Sequence, residues 1–166
     1  RLYPVHLLFL IVFLGIEIAK WLIVTRGGVD DPATAPFAVN DLRAFVENLL
    51  LLNGALPDRA FTFNYPSWSI SVEFWTYLVF ALTVLWLRSL RLAVFGLLAA
   101  GAVALLASGT TAGFDNMLKC LAGFFLGCLI AAFSRRAKLR LPALTVPFAF
   151  AAMLAFLMLK PAHGGD

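Results

Sequence analysis

The sequence predicts an all-α membrane protein, a polytopic bundle of about five spanning helices plus one short interfacial or re-entrant helix. Of its 166 residues, 62% are hydrophobic and 13% are charged, and the mean hydropathy is +0.92. A soluble domain carries roughly 45–50% apolar and about 25% charged residues. The apolar residues form long runs with basic residues at their ends, the pattern that orients helices in a membrane. We therefore expect the lipid bilayer, and no nucleic acid, as a partner.

Each element is predicted from the length of an apolar run, since a spanning helix needs roughly 20 residues. The third run is short for a span and rich in Gly and Ala. A further run at residues 45–56 is too short to span and carries polar side chains, which favours an interfacial or re-entrant helix. The predicted spans are residues 2–24, 69–87, 92–107, 117–133 and 142–159.

Charge predicts the orientation of this single membrane domain. With five spans, Arg1, the turn with Arg88 and Arg91, and the basic loop 135–140 share one face, which carries seven basic residues and no acid. The positive-inside rule makes that face cytoplasmic. Residues 25–67 then form a long loop on the outer side. Because residue 1 is not Met and leads directly into an apolar run, we expect an internal part of a larger membrane protein, with helices before and after it.

Two pairs of small residues lie in the fourth predicted span. Gly123 and Gly127 form a small-xxx-small pair, for which we prefer close packing inside the bundle to dimerisation. Cys120 and Cys128 are eight helical residues apart, roughly 12 Å at about 1.5 Å per residue. They are therefore too far apart to pair with each other, and we interpret them as packing residues.

Residues 64–77, NYPSWSISVEFWTY, carry the strongest functional signal, because Glu73 sits inside a predicted span among serines and tryptophans. A carboxylate in hydrocarbon costs a few kcal/mol or more unless it is partnered, neutralised or wetted. Ser69 and Tyr77 lie one helical turn to either side and share its helix face. Glu73 either hydrogen-bonds a neighbouring helix or exchanges protons in a reaction. The dense polar and aromatic setting favours the second interpretation.

The start of this helix predicts the depth of Glu73. Pro66 suits a first helical turn, and Asn64 or Ser67 can cap it. With the helix beginning at the outer surface, Glu73 lies roughly 9–10 Å below that surface. We therefore expect it near the outer face, across the membrane from Arg1.

Three other polar residues interrupt the first predicted span. For His6 we prefer an interfacial or interhelical hydrogen bond to a catalytic role. Glu17 and Lys20 are three residues apart, so they can pair with each other. All three are therefore interpreted as structural residues.

Two motifs together resemble the acyltransferase 3 family of integral membrane proteins. The sequence RLYPVHLL at residues 1–8 is similar to the end of that family's cytoplasmic Arg-x-x-Arg element, where it enters the third membrane helix. The sequence SWSISVEFW at residues 67–75 resembles the family's Trp-Ser-(Leu/Ile)-Ser-x-Glu signature. The resemblance extends to about residue 88; beyond it only the hydropathy agrees.

The resemblance implies a transfer of an acyl group, commonly acetyl, from cytoplasmic acyl-CoA to a hydroxyl of an extracytoplasmic acceptor such as a polysaccharide, glycolipid or other sugar. Acetyl-CoA would be a donor substrate, with no permanently bound cofactor and no metal. The expected location is the bacterial inner membrane, with residue 1 cytoplasmic. The matched positions assign catalytic roles to Glu73 and Ser69, contact with CoA phosphates to Arg1, and substrate-side support to Trp68, Tyr77 and Asn64.

The resemblance also implies that the catalytic histidine lies outside the given sequence. The family's catalytic His belongs to its first membrane helix, which would precede residue 1, and His6 does not match it. We therefore expect the chain as given to be inactive alone. Two other functions stay open: a proton-coupled transporter or exporter with Glu73, His6 and Glu17 as a proton path, and a non-catalytic scaffold in which polar residues only join helices.

Overall fold

The computed structural model describes residues 2–27, 35–57, 62–137, 145 and 147–151. Throughout these residues the regular secondary structure is helical, which confirms the predicted all-α class. The helices are α1 Leu2–Thr25, α2 Leu42–Leu49, α3 Ser67–Trp86, α4 Arg91–Ser108 and α5 Asp115–Arg136.

Four of these helices, α1, α3, α4 and α5, are long and apolar enough to cross a membrane. They confirm the first four predicted spans, with every boundary within three residues of the prediction. The fifth predicted span, 142–159, lies largely outside the described residues, although 147–151 are helical. The chain forms two compact units, Arg1–Ile130 and Ala131–Asp166. The features below all lie in the first.

Aromatic side chains form the main core between α3, α4 and α5. Phe80 stacks on Phe95 with ring centroids 5.5 Å apart, and Phe95 contacts Phe125 with centroids 5.0 Å apart. Ala99 completes the buried cluster. Aromatic pairs of this kind contribute about 0.5–1.5 kcal/mol each beyond the area that they bury. Ring packing therefore contributes to holding the three long helices together, alongside aliphatic side chains such as Leu98 and Leu121.

The glycine pair of α5 does not show the predicted close packing. A Cβ atom added at Gly123 or Gly127 would meet no atom within 4 Å in the described part of the chain. Small residues bring two backbones together only where a second helix is present, and none of the described helices covers this surface. Cys120 and Cys128 are both unpaired, as predicted.

The short predicted helix is α2, and it lies inside a segment that returns along α1. Asp41 caps its start by accepting a hydrogen bond from the Ala44 N–H at 2.7 Å. Ala44 packs with Leu10 of α1, and the carbonyl of Leu49 accepts a hydrogen bond from the Tyr3 hydroxyl at 3.0 Å. Residue numbers on α2 therefore rise as those on α1 fall, so the two helices are antiparallel.

Residues 35–57, called here the returning segment, thus run back beside α1 instead of staying at its far end. Because α1 is long and apolar enough to cross a membrane, this segment lies beside a candidate spanning helix. The predicted short helix, interfacial or re-entrant, is therefore present as α2, and the segment that carries it contacts α1 along much of its length. The physical reason is the set of buried polar contacts described next, which hydropathy does not reveal.

Candidate active site

Glu17 anchors the beginning of the returning segment to α1. Its Oε1 accepts from Lys20 Nζ at 2.7 Å and from Asn40 Nδ2 at 2.8 Å, and its Oε2 accepts from the Phe37 N–H at 2.9 Å. The predicted pair with Lys20 is thereby confirmed. Only 3% of Glu17 is exposed, and three donors satisfy its carboxylate. Asn40 extends the contact, since its Oδ1 accepts from the Phe63 N–H at 2.6 Å.

His6 joins α1 to the end of α2. Its Nε2 lies 2.9 Å from the carbonyl oxygen of Asn48, so Nε2 carries the hydrogen and donates it. The ring is 1% exposed. Its Nδ1 has no partner among the described residues. The predicted interhelical hydrogen bond of His6 is confirmed.

The Asn48 side chain joins α2 to Thr62 and to the start of α3. Its Nδ2 donates to the Ala44 carbonyl at 2.9 Å and to Thr62 Oγ1 at 2.8 Å, and its Oδ1 accepts from Ser67 Oγ at 3.2 Å. Ser67 Oγ in turn accepts from Asn53 Nδ2 at 2.8 Å. Asn48 is 0% exposed, and a buried polar group of this kind is stable only when its hydrogen bonds are made. This network therefore fixes the first turn of α3 against the returning segment.

The backbone of Leu51 makes the next connection to α3. Its carbonyl accepts from Ser71 Oγ at 2.5 Å and from Trp75 Nε1 at 2.8 Å. Leu51 has φ +54°, a left-handed conformation that costs a non-glycine residue roughly 1–2 kcal/mol. This conformation also ends α2, because a helix cannot continue through it. The two hydrogen bonds offset the backbone strain.

Gly54 brings the two backbones into direct contact. Its N–H donates to Ser71 Oγ at 3.1 Å. A Cβ atom at this position would lie 2.3 Å from the Trp68 carbonyl oxygen, closer than real atoms approach. Glycine is therefore required here for the returning segment to reach α3.

Leu51 also lines an open cleft with a volume of about 400 Å³, called here the Glu73 cleft. Its walls are apolar apart from one carboxylate and two phenolic hydroxyls. Glu73 is half-buried, and within the described ranges it has no hydrogen bond or ion pair. The carboxylate is therefore available to a ligand. The cleft is lined by Leu2, Tyr3, Leu51, Ile70, Glu73, Phe74 and Tyr77.

Helical spacing assigns the signature residues to two faces of α3. Ser67, Ser71 and Trp75 recur every four residues and contact the returning segment. Ile70, Glu73 and Tyr77 recur every three or four residues and line the cleft. At about 3.6 residues per turn, these sets lie on different faces of the helix. One face thus holds the helix, and the other presents a carboxylate.

The predicted position of Glu73 across the membrane from residue 1 is wrong. Glu73 lines the same cleft as Leu2 and Tyr3, so it lies beside the beginning of α1. The prediction assumed that α3 begins at the outer surface. Instead, Ser67 at the start of α3 is bonded to Asn48 of the returning segment, well along α1 from its far end.

The other predicted site residues lie in different surroundings. Tyr77 lines the cleft, and its ring contacts that of Phe124 with centroids 5.4 Å apart. Ser69 Oγ donates to the Pro66 carbonyl at 3.0 Å within the same turn, and Ser69 is not among the residues that line the cleft. Trp68 contacts Gly54 through its backbone.

The start of α3 differs from the prediction. Pro66 is the N-cap residue, and no side chain makes a capping hydrogen bond, so the predicted cap by Asn64 or Ser67 is wrong. The hydroxyl of Ser67 is bonded to Asn48 instead, and Asn64 contributes its carbonyl, which accepts from the Ser67 N–H at 2.9 Å. Arg1, expected to bind CoA phosphates, lies outside the described residues.

The predicted proton path is not assembled in the described part of the chain. His6 is bonded to Asn48, whereas Glu17 is held by Lys20 and backbone donors eleven residues further along α1. Neither lines the cleft that contains Glu73. The described contacts therefore give no support to the transporter interpretation.

Sequence reasoning missed the structural roles of Asn48, Leu51, Asn53 and Gly54. The two asparagines did carry a usable signal, because an amide in an apolar run must find hydrogen-bond partners. The close contact of Gly54 and the left-handed Leu51 depend on tertiary packing and had no such signal.

Comparison with protein families agrees with the motif resemblance of the sequence. The model of the acyltransferase 3 family, described as an acyltransferase domain, matches residues 1–163. Searches of curated proteins and of solved structures gave no match. The family match extends far beyond the first 88 residues, to which the motif resemblance was limited.

Proposed function

The chain belongs to the acyltransferase 3 family, and from this premise we propose that it serves to transfer an acyl group, commonly acetyl, from cytoplasmic acyl-CoA to a hydroxyl of an extracytoplasmic acceptor such as a polysaccharide, glycolipid or other sugar. The observation that carries the proposal is Glu73, the one carboxylate among the residues that line the cleft. It belongs to the family's signature and has no described partner.

The proposed reaction moves one proton and one acyl group. The acceptor hydroxyl gives up its proton, its oxygen attacks the thioester carbonyl, and CoA leaves as the thiol after taking a proton. The catalytic base in this proposal is the His that the resemblance expects before residue 1. Glu73 would hydrogen-bond the acceptor hydroxyl or relay its proton, which suits a carboxylate in a largely apolar setting.

The position of the cleft supports a donor role for the neighbouring residues. Leu2 and Tyr3 line it, so it begins one residue from Arg1, the proposed contact for CoA phosphates. The thioester end of the donor would then reach Glu73 along apolar walls. Tyr77 would support the substrate from the same helix face as Glu73, and Trp68 and Asn64 would support it near the start of α3. Ser69 would act only after exchanging the Pro66 carbonyl for substrate.

Replacement of Glu73 tests the proposal. In native membranes that contain the full-length protein, Glu73→Gln should lower transfer of radiolabelled acetyl from acetyl-CoA by about 100-fold or more. The amount of protein in the membrane should not change. Asp115→Asn is a matched control, because that carboxylate accepts from Thr111 at 2.7 Å at the start of α5. Full activity of Glu73→Gln would refute the assignment.

A further inference from the structure

We propose that Ser71 and Trp75 are positioning residues that set the shape of the Glu73 cleft through the backbone of Leu51. The catalytic consequence rests on the proposed function, whereas the structural consequence does not. Neither side chain lines the cleft, so their effect must pass through another residue.

Leu51 is that residue because it belongs to both parts of the structure. Leu51 lines the cleft together with Glu73, and it is 3% exposed. Its carbonyl receives the two hydrogen bonds from Ser71 and Trp75. A displacement of this backbone therefore moves a wall of the cleft.

The backbone of Leu51 needs those two donors. At φ +54°, the residue occupies a region that leucine rarely adopts without compensating contacts. If either hydrogen-bond donor is removed, the backbone of Leu51 is free to relax toward an ordinary φ. Leu51 then moves away from the other residues that line the cleft, and the cleft widens.

The first test compares acyl-CoA substrates whose acyl chains differ in length. Ser71→Ala and Trp75→Phe each remove one donor while retaining most of the side-chain volume. We expect the ratio of kcat/KM for acetyl-CoA over hexanoyl-CoA to fall about fivefold, the size expected for loss of one buried hydrogen bond. A wider cleft accepts the longer chain better.

Two matched controls lie on the same helix. Thr83→Val removes a hydroxyl that donates to the Val79 carbonyl within α3. Trp86→Phe removes an indole N–H from a residue that is 78% exposed. Both controls should leave the donor ratio unchanged. An unchanged ratio in both Ser71→Ala and Trp75→Phe would overturn the inference.

A double-mutant cycle separates positioning from general stabilisation. In a Leu51→Ala background the wall side chain is already absent, so Ser71→Ala and Trp75→Phe should no longer change the donor ratio. Coupled residues fail to add in this way. Full additivity would show that the two residues act without Leu51 and would refute the proposal.

A labelling experiment tests the effect of Trp75 on the cleft without measuring acyl transfer. Ile70→Cys places a thiol in the cleft wall of protein in which Cys120 and Cys128 are replaced by Ala. Trp75→Phe should raise its rate of reaction with a small maleimide about fivefold, and Trp86→Phe should not. If the full-length protein without substitutions transfers no acyl group, the proposed function fails, but this measurement still decides the inference: an unchanged labelling rate rejects it.

Discussion

The imidazole Nε2 of His6 donates to the carbonyl oxygen of Asn48 across 2.9 Å, and this hydrogen bond joins the beginning of α1 to the end of α2. Both residues are almost completely buried. The bond therefore lies in a setting where an unpaired carbonyl costs far more than it would at a wet surface. It determines how close the returning segment comes to α1.

Replacement of His6 should affect stability more than chemistry. His6→Gln can place an amide N–H where Nε2 lies, so it should preserve most of the stability and activity. His6→Leu leaves the Asn48 carbonyl unpaired and should lower the free energy of unfolding by about 1 to 3 kcal/mol. Thermal denaturation of the purified protein in detergent measures the difference. Loss of activity in a fully stable His6→Gln protein would contradict a structural role.

Replacement of Asn48 should destabilise the connection between α2 and α3. Asn48→Ala leaves Thr62 and Ser67 without their buried partner, and we expect a loss of about 1 to 3 kcal/mol or more in unfolding free energy. Asn116→Ala is the control, because Asn116 is a half-buried residue near the start of α5, away from this network. Equal losses of thermal stability in the two variants would show that the network is unimportant.

Replacement of Glu17 should release the start of the returning segment. Glu17→Gln removes the charge that Lys20 pairs with and one of the acceptor sites used by Phe37 and Asn40, at an expected cost of about 1 to 3 kcal/mol. Cleavage by protease between residues 26 and 41 should become faster. Arg43→Gln breaks an exposed pair with Glu47 at 3.0 Å and should cost no more than about 1 kcal/mol. Equal cleavage rates in both variants would argue against the anchor.

Addition of one methyl group at Gly54 should disrupt the approach of the returning segment to α3. Gly54→Ala places a Cβ atom 2.3 Å from the Trp68 carbonyl oxygen, and we expect a loss of about 1 to 3 kcal/mol from the forced displacement. Gly101→Ala adds the same methyl group to α4, where no described atom lies within 4 Å. It should leave stability unchanged or raise it by up to about 1 kcal/mol. A Gly54→Ala protein with unchanged thermal stability would show that the contact is easily relaxed.

The spanning helices could be predicted from the sequence because their signal is local. Apolar runs of sufficient length gave α1, α3, α4 and α5, and the spacing of Glu17 and Lys20 gave their ion pair. The path of the returning segment could not be predicted, because every residue has a backbone N–H and nothing singles out that of Phe37 as a partner for Glu17. The predicted position of Glu73 was wrong for the same reason, since this position depends on where Asn48 contacts Ser67.

The residues that form hydrogen bonds with the returning segment are synthesised at two different times. His6 and Glu17 are made before the segment, whereas Ser67, Ser71 and Trp75 are made after it. Because lipid offers no substitute for a missing hydrogen-bond partner, the segment cannot settle completely until α3 has been synthesised and inserted. Until then, only the hydrogen bonds with α1 can hold the segment. Biogenesis of this cleft is therefore a late event, completed by the same helix that carries its carboxylate.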